Sequence, residues 1–562
     1  MTPTATIDAR RDELRRRFPA WQPRNLADWL DDCAERYSSR PIVLTDDRKL
    51  SYTDVATESR RLADGLVSIG VRPGDRVAMI MANYQEFVAI KFAIARAGAI
   101  AVPLNYLYRS DELRFVLTDS GCRVVITMTG FADLDYQAML DRIPDAPTVV
   151  LLDVDGRARR GALTVEGLAA LGDQNAGASD DRGVDPGAPG DMLYTSGTTG
   201  SPKGVLVSHD AVLRTAFASA LTRAYQDGRR VVFSLPCYHM FGYIEGLLSV
   251  GFVGGAIIPL TRFSAEGYFA GIQRHRATDL LCVPTMAVAM IEHPGRRDYD
   301  LSSLTAILCG AAPAPIWLWE QIAADFGISE IVTGYGMTEC GGAMTLTRPE
   351  DPLELTAETV GRPKMAGVAG IAGTDVLVQY RAVHPESGAA LPPGEEGELV
   401  SRGPTSMLRY WNRPHDTEAT LRNGWVHSGD LGVLREDGNL HVTGRSKELY
   451  KSGGELIMPR EIEDLLAAHD AVSQVFAIGL PDERWGEIGC VVVVLVPGAE
   501  LNETDVLDIC RAKLARFKVP KRVVFYRADD LPTTPTGKVQ KYRLVQQLST
   551  CRTASTSATH KI

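Results

Sequence analysis

Alternating strand and helix signals over roughly the first 330 residues predict parallel sheets with helices on both faces, hence a large α/β domain of two lobes. From about Glu354 to Leu434 strands become short and turns frequent, the mark of a β subdomain. After Arg445 a small α+β unit begins. These three changes of pattern divide the chain into 1–446, 447–548 and a polar tail over 549–562, expected to be frayed.

In order, Arg24–Tyr37 places Leu26, Trp29, Leu30 and Cys33 on one side of a helix. Strands are expected at Pro41–Leu44 and Lys49–Tyr52, with Asp46-Asp47 in the turn. Thr53–Ile69 is a helix stopped by Gly70, Arg76–Met81 a strand, and Glu86–Ala97 a helix stopped by Gly98. Ile100–Val102 and Val124–Met128 continue the sheet, and Gly172–Pro189 is a loop. The second run has strands at Arg230–Leu235, Ala256–Leu260, Asp279–Val283, Ala306–Leu308 and Ile331–Val332, with a helix at Ala265–His275. The apolar Gly246–Leu260 stretch carries glycines, is too short for a membrane span, and reads as a buried strand–turn–strand. Val376–Tyr380, Gly397–Arg402 and Gly424–Asp430 are the short strands of the β subdomain. In the last unit Pro459–Ala468 and Asn502–Ala515 are helices, and Val472–Gly479 and Val491–Pro497 strands.

The 562 residues, 45% hydrophobic, supply several cores, and the net charge of −10 argues against a nucleic-acid partner held by bulk charge. Nine scattered cysteines without a CxxC pair read as reduced thiols of a cytoplasmic protein. The first residues show no basic region followed by an apolar core, so no signal peptide is expected.

Chemistry concentrates in Tyr194-Thr-Ser-Gly-Thr-Thr-Gly-Ser-Pro-Lys-Gly-Val205, flanked by apolar residues: a strand, a glycine-rich turn and a second strand. Its glycines let backbone N–H groups approach an anion, Thr195, Ser196, Thr198 and Thr199 add hydroxyl donors, and Lys203 adds a point charge. The alternative is a surface hairpin of small polar residues. The order is not Walker A, in which Gly-Lys-Ser/Thr opens a helix. Further along, Tyr335-Gly-Met-Thr-Glu339 sets an aromatic face and a carboxylate beside glycines, suited to a flat base and to Mg²⁺, although taken alone a plain turn with an exposed Tyr and Glu is the more frequent meaning of such a stretch. Trp425-Val-His-Ser-Gly-Asp430 offers a carboxylate able to accept two ribose hydroxyls. Leu531-Pro-Thr-Thr-Pro-Thr-Gly-Lys538 puts a lysine at the tip of an irregular loop.

Together with Gly444-Arg-Ser-Lys-Glu-Leu449, these motifs resemble, in order and spacing from about Leu26 to Leu544, the adenylate-forming superfamily of acyl-CoA synthetases, aryl-CoA ligases, luciferases and peptide-synthetase adenylation domains. The resemblance implies a small mobile C-terminal domain and an ATP-dependent acid–thiol ligase using Mg²⁺ and coenzyme A. It makes Lys538 the catalytic lysine and Thr195, Ser196, Gly197, Thr198, Thr199, Gly200 and Lys203 the clamp on the terminal phosphates. Gly310, Ala311, Ala312, Tyr335, Gly336 and Met337 would hold adenine, Thr338 phosphate and metal, and Glu339 Mg²⁺. Asp430 and Arg445 would hold ribose or α-phosphate, and Lys447 would be the hinge. Lys451, Gly453 and Gly454 would deliver the thiol, with His239 gating its path. Tyr238, Met240, Phe241, Tyr243, Ala343 and Met344 would line the acid pocket.

The resemblance also speaks against an α-amino acid: the amino-acid adenylating domains of the superfamily place an Asp in this motif to pair with the substrate ammonium, whereas the corresponding stretch here offers His239, Met240 and Phe241 and no carboxylate before Glu245. The apolar and small candidates suit a medium-to-long fatty acid, or an aryl or alicyclic acid. The segment from Pro363 to His384, with Val368–Gly373 as the extra part, is longer than in ordinary CoA ligases. Acyl-AMP ligases that load carrier proteins have an insertion in this region, so an acyl carrier protein is the alternative acceptor to CoA.

Overall fold

The computed structural model describes residues 5–144, 146–180, 182–195, 202–312, 314–445, 449–452, 455–482, 485–514, 518–534 and 537–550. Two compact units result. One holds residues 1–311, 316–380 and 400–427, the other 312–315, 381–399 and 428–562. The expected junction at 446/447, with hinge candidate Lys447, lies outside the described residues.

The first unit carries two seven-stranded sheets. In one, Glu330–Val332, Ala306–Cys309, Asp279–Cys282, Arg230–Phe233, Ala256–Pro259 and Pro41–Leu44 run parallel, and Lys49–Ser51 closes the edge antiparallel. Ala256–Pro259, Asp279–Cys282 and Ala306–Cys309 are buried along their whole length, as expected where helices cover both faces of a parallel sheet. In the other, Pro189–Thr195, Ile100–Pro103, Arg76–Ile80, Val124–Met128 and Thr148–Leu152 are parallel. Lys203–Ser208 and Arg409–Tyr410 extend it antiparallel. A three-stranded sheet joins Gly334–Met337, Gly342–Leu346 and Arg362–Pro363. The α/β organisation and the small α+β unit stand as the sequence predicted.

Three local readings change. The apolar stretch before Ala256 is helical, a π-helix over Phe241–Leu248 continued by Ser249–Gly251, rather than strand–turn–strand. Its glycines serve close packing: a Cβ on Gly246 would lie 2.7 Å from the Phe233 ring, and one on Gly242 would lie 2.5 Å from the Leu235 carbonyl oxygen. A short apolar run has no periodicity that separates buried helix from buried strand. The strand expected at Val376–Tyr380 occupies Gln379–Val383, and the helix Lys541–Thr550 reaches into the expected tail. The helices Ile7–Arg17 and Ser110–Ser120 had no counterpart in the sequence reading.

In the second unit Gly486–Leu495 pairs antiparallel with Val472–Asp482 and Tyr450–Ser452 and parallel with Arg522–Phe525. One apolar cluster packs Ile462 and Leu466 of the helix Pro459–Ala467 and Val506 and Cys510 of the helix Glu503–Lys513 with Val491 and Val493. Another packs Leu544 and Leu548 with Val492 and Val494. Alternate residues of one strand thus feed two cores, the period-two consequence of a sheet covered on both faces.

Candidate functional site

The parallel strands of the first sheet deliver their carboxyl ends to one place, where ligands of such sheets bind. Gly310 follows Cys309 and donates its N–H to the Cys282 carbonyl at 3.3 Å. A Cβ there would stand 3.5 Å from the Gly334 oxygen and 3.6 Å from the Phe241 ring, so three motifs far apart in sequence meet. Ala311 turns the chain with φ 69°, in the left-handed region. Ala312 is exposed and groups with the second unit.

Tyr335 and Gly336 lie on Gly334–Met337, with Tyr335 opposite Thr345, Gly336 opposite Ala343 and Met337 opposite Gly342. The half-buried Tyr335 ring lies 6.4 Å from that of Tyr380. Gly336 can only be glycine, since a Cβ would fall 1.9 Å from the Gly342 oxygen. Thr338 and Glu339 follow on the turn Thr338–Cys340 and are 9% and 8% exposed.

Thr195 and Lys203 are opposite one another across the predicted strand pair. Ser196, Gly197, Thr198, Thr199 and Gly200 lie outside the described residues. Lys203 Nζ is 2.6 Å from Asp416 Oδ1 and 5.3 Å from the centroid of the Tyr410 ring. The Tyr410 hydroxyl donates to Glu339 Oε1 at 2.8 Å. Burial, then the Glu339 charge, push that hydroxyl above the usual tyrosine range, so it stays a proton donor. The Glu339 backbone is held as well, its carbonyl accepting the Met407 N–H at 2.8 Å. One aromatic residue therefore joins the glycine-loop lysine to the Tyr335 motif's carboxylate. Neither Tyr410 nor Asp416 was predicted, because their own stretch, Arg409-Tyr-Trp-Asn-Arg-Pro-His-Asp416, carries no chemical pattern; only strand pairing brings Tyr410 opposite Val205.

His239 is exposed at the start of the π-helix, with its Nδ1 accepting the Phe241 N–H at 3.2 Å. Tyr238, Phe241 and Ala343 are half-buried and present surface, whereas Met240, Tyr243 and Met344 are buried. Tyr238 packs edge-on against Tyr106. The Tyr243 hydroxyl donates to Asp191 at 3.3 Å, under a Lys91 ammonium 2.9 Å from the same carboxylate. Glu245 is committed elsewhere: Lys364 Nζ and the Ser219 hydroxyl donate to its Oε1 at 2.6 and 2.9 Å. The extra segment after Pro363 closes on itself, the Leu377 N–H donating to Lys364 O at 2.9 Å and the Ala366 N–H to Asp375 O at 2.8 Å.

In the second unit Asp430 is 4% exposed, opposite Arg445 in the pairing of Trp425–Leu434 with Leu440–Arg445. Its N–H donates to Ser428 Oγ at 3.0 Å, and Gly429 before it has φ 72°. Lys451 lies opposite Leu456 in the antiparallel pairing of Tyr450–Ser452 with Glu455–Ile457, and Gly453 and Gly454 are outside the described residues. Lys538 sits on a loop whose two arms are tied to each other. The Gln540 N–H donates to Pro532 O at 2.7 Å, the Thr534 N–H to Lys538 O at 2.7 Å, and the Lys538 N–H to Thr534 Oγ1 at 3.0 Å. Gly537 supplies a positive φ of 76°.

Among the described residues no group of three or more His, Cys, Asp or Glu side chains could hold a metal. Thr338 and Glu339 offer hard oxygen donors only, which fits Mg²⁺, an ion that keeps waters and takes one or two protein ligands plus phosphate oxygens. Among the described residues no helix is long and apolar enough to cross a membrane.

This arrangement has known counterparts. Residues 30–411 match the model of the AMP-binding enzyme family, and residues 461–538 that of the AMP-binding enzyme C-terminal domain. The chain belongs to the AMP-binding enzymes. It is 35% identical over 521 residues to a methyl-dioxo-octahydroindenyl-propanoyl:CoA ligase of Mycobacterium tuberculosis, covering 92% of this chain and 97% of that one. A feruloyl-CoA synthase of Amycolatopsis is 36% identical over 493 residues, 88% of this chain and 92% of its own. A long-chain-fatty-acid–CoA ligase of M. tuberculosis is 33% identical over 508 residues, 90% and 94% of the two chains. Among solved structures, ATP-bound MatB from Rhodopseudomonas palustris superposes with a TM-score of 0.79 at 28% identity, covering 94% of this chain and 99% of that one. Within its family the protein is an ATP-binding, AMP-forming acid:CoA ligase.

Proposed function

We propose that the chain activates an apolar-bodied carboxylic acid as its acyl-adenylate and passes the acyl group to the thiol of coenzyme A. The observation that carries this reading is the junction of Lys203 and Glu339 through Tyr410, a phosphate cation and a hard-cation carboxylate held on one rigid support. In the first step a carboxylate oxygen attacks the α-phosphorus of ATP and pyrophosphate leaves with the bonding pair. In the second a thiolate attacks the acyl carbon and AMP leaves. Both steps bring anions together, so positioning and charge stabilisation are the protein's task.

In this reading Lys203 and the glycine loop grip the β- and γ-phosphates, and Tyr335 with Gly310, Ala311 and Gly336 receives adenine. Asp430 and Arg445 take ribose, and Lys538 bridges the carboxylate and the α-phosphate. Thr338 and Glu339 would hold Mg²⁺, which when bound neutralises phosphate charge. Lys447 would be the hinge of a small domain beginning near it, bringing Lys451, Gly453 and Gly454 to the thiol path beside His239. Buried, unpaired cysteines such as Cys237, Cys282 and Cys309 support a reducing, cytoplasmic setting.

The half-buried Tyr238, Phe241 and Ala343 support an aliphatic, aryl or alicyclic acid, with a medium-to-long fatty acid as the leading choice. The engagement of Glu245 by Lys364 supports the exclusion of α-amino acids, since this carboxylate already has a cation of its own. The test is a panel of linear, aryl and alicyclic acids with ATP, assayed for acyl-AMP, for acyl-CoA and for loading of a holo acyl carrier protein. AMP release that depends on CoA supports the reading. Release driven only by the carrier protein redirects the acceptor, and the absence of any adenylate refutes the reading.

A further inference from the structure

We propose that Asp416 is the resident counter-ion of Lys203, that ATP and pyrophosphate bind by displacing it, and that Tyr410 holds Lys203 and Glu339 in register during the exchange. The inference rests on the reading of Lys203 as a ligand of the terminal phosphates.

Lys203 is not an idle cation waiting beside the glycine loop. Its ammonium already has an anion 2.6 Å away, and its side chain is 16% exposed. The face of Tyr410 adds a contact that uses none of its three N–H donors. Asp416 sits in the short helix Pro414–Thr420, and its side chain is 37% exposed, so it can turn to water at small cost. A polyphosphate arriving at Lys203 brings several negative charges close to this carboxylate. Two like charges at such range disfavour each other, and the phosphate, with more oxygens and more charge, takes the ammonium. Asp416 takes it back when pyrophosphate leaves.

The pair therefore trades tight phosphate binding for easier product release. Tyr410 stays in place throughout, because its hydroxyl is fixed on Glu339 and its backbone N–H donates to Thr417 Oγ1 at 3.0 Å. The two ends of the phosphate site are thus kept at constant separation while the anion on Lys203 changes. Asp416 and Tyr410 are positioning residues here, acting through Lys203 and Glu339.

The experiment is titration calorimetry of inorganic pyrophosphate into the full chain, with and without Mg²⁺, alongside steady-state kinetics in ATP. D416N keeps the side chain's shape and removes its charge. Because a partly exposed ion pair is a weak competitor, D416N should bind pyrophosphate up to about fivefold more tightly and lower the KM for ATP to match. Pyrophosphate should also become a stronger product inhibitor. In a Lys203→Met background the same change should have no effect, which separates the proposal from a general shift in charge. Weaker or unchanged binding in D416N, or tightening that persists without Lys203, overturns the counter-ion role. Y410F keeps the ring under Lys203 and loses the hydroxyl on Glu339. It should leave metal-free pyrophosphate binding intact and raise several-fold the Mg²⁺ concentration needed for half-maximal rate; equal losses with and without Mg²⁺ overturn the register role. Failure of the parent protein to bind pyrophosphate at all overturns the assignment of Lys203 itself, a result distinct from either of these.

Discussion

His209 makes the protein's stability pH-dependent in a direction and amount that can be worked out. It follows the strand Lys203–Ser208 and is 1% exposed. Its Nδ1 has no hydrogen-bond partner among the described residues. A Cβ on Gly190 would touch that nitrogen at 2.6 Å, so the ring is wedged against backbone. Burial, and after it the nearby Lys91 ammonium, push the imidazole from 6.5 down to about 3. The folded state therefore keeps His209 neutral where the unfolded chain protonates it. A folded value below the unfolded one means stability present above pH 6.5 and lost progressively as pH falls toward 3. Between pH 7 and pH 5 the loss from this group alone is about 2 kcal/mol, at 1.36 kcal/mol per pH unit below 6.5. Denaturant unfolding of the parent and of His209→Gln at the two pH values isolates the effect, because carboxylates that titrate in both proteins cancel. The variant should lose about 2 kcal/mol less than the parent on acidification. Identical losses would show that His209 is not held neutral, and the burial argument would fall.

Three other expectations follow from the same geometry. Lys538→Ala should lower ATP–pyrophosphate exchange by roughly 10²–10³-fold, about 2.7–4 kcal/mol, while sparing thioester formation from added acyl-AMP; near-normal exchange would remove Lys538 from the first step. Gly336→Ala drives a methyl into the Gly342 carbonyl at 1.9 Å and should cost about 1–3 kcal/mol together with ATP affinity, read by melting and nucleotide titration. Lys364→Met strands the buried Glu245 carboxylate and should cost about 3–5 kcal/mol, whereas the double change with Glu245→Leu should recover most of it. A double variant as unstable as the single would show that the cost is packing rather than charge.

What was legible in the sequence is what is encoded locally. The paired strands that end at Thr195 and begin at Lys203, the Pro/Gly loop carrying Lys538 and the glycine before Asp430 each need particular residues within a few positions. The helical nature of Phe241–Leu248 was not legible: glycines that usually mark turns are there because Phe233 and Leu235 leave no room for a side chain. The buried placement of Tyr243 escaped for the same reason, since its partners Asp191 and Lys91 come from other elements. The helix Ile7–Arg17 shows no apolar stripe, and its Arg10 and Arg11 are buried on Glu330 and Glu350, hundreds of positions away.

By itself, then, the sequence determined the class of chemistry, because glycine, hydroxyl, lysine and carboxylate at short range are what gripping and activating phosphates requires. The tertiary structure alone decided which groups those residues lean on. Asp416 against Lys203, Tyr410 against Glu339 and Lys364 against Glu245 are pairings across the chain. They arise when strand registers and helix packing bring remote positions within about 3 Å, where a hydrogen bond forms or an unpaired buried charge becomes costly. No spacing along the chain records that meeting.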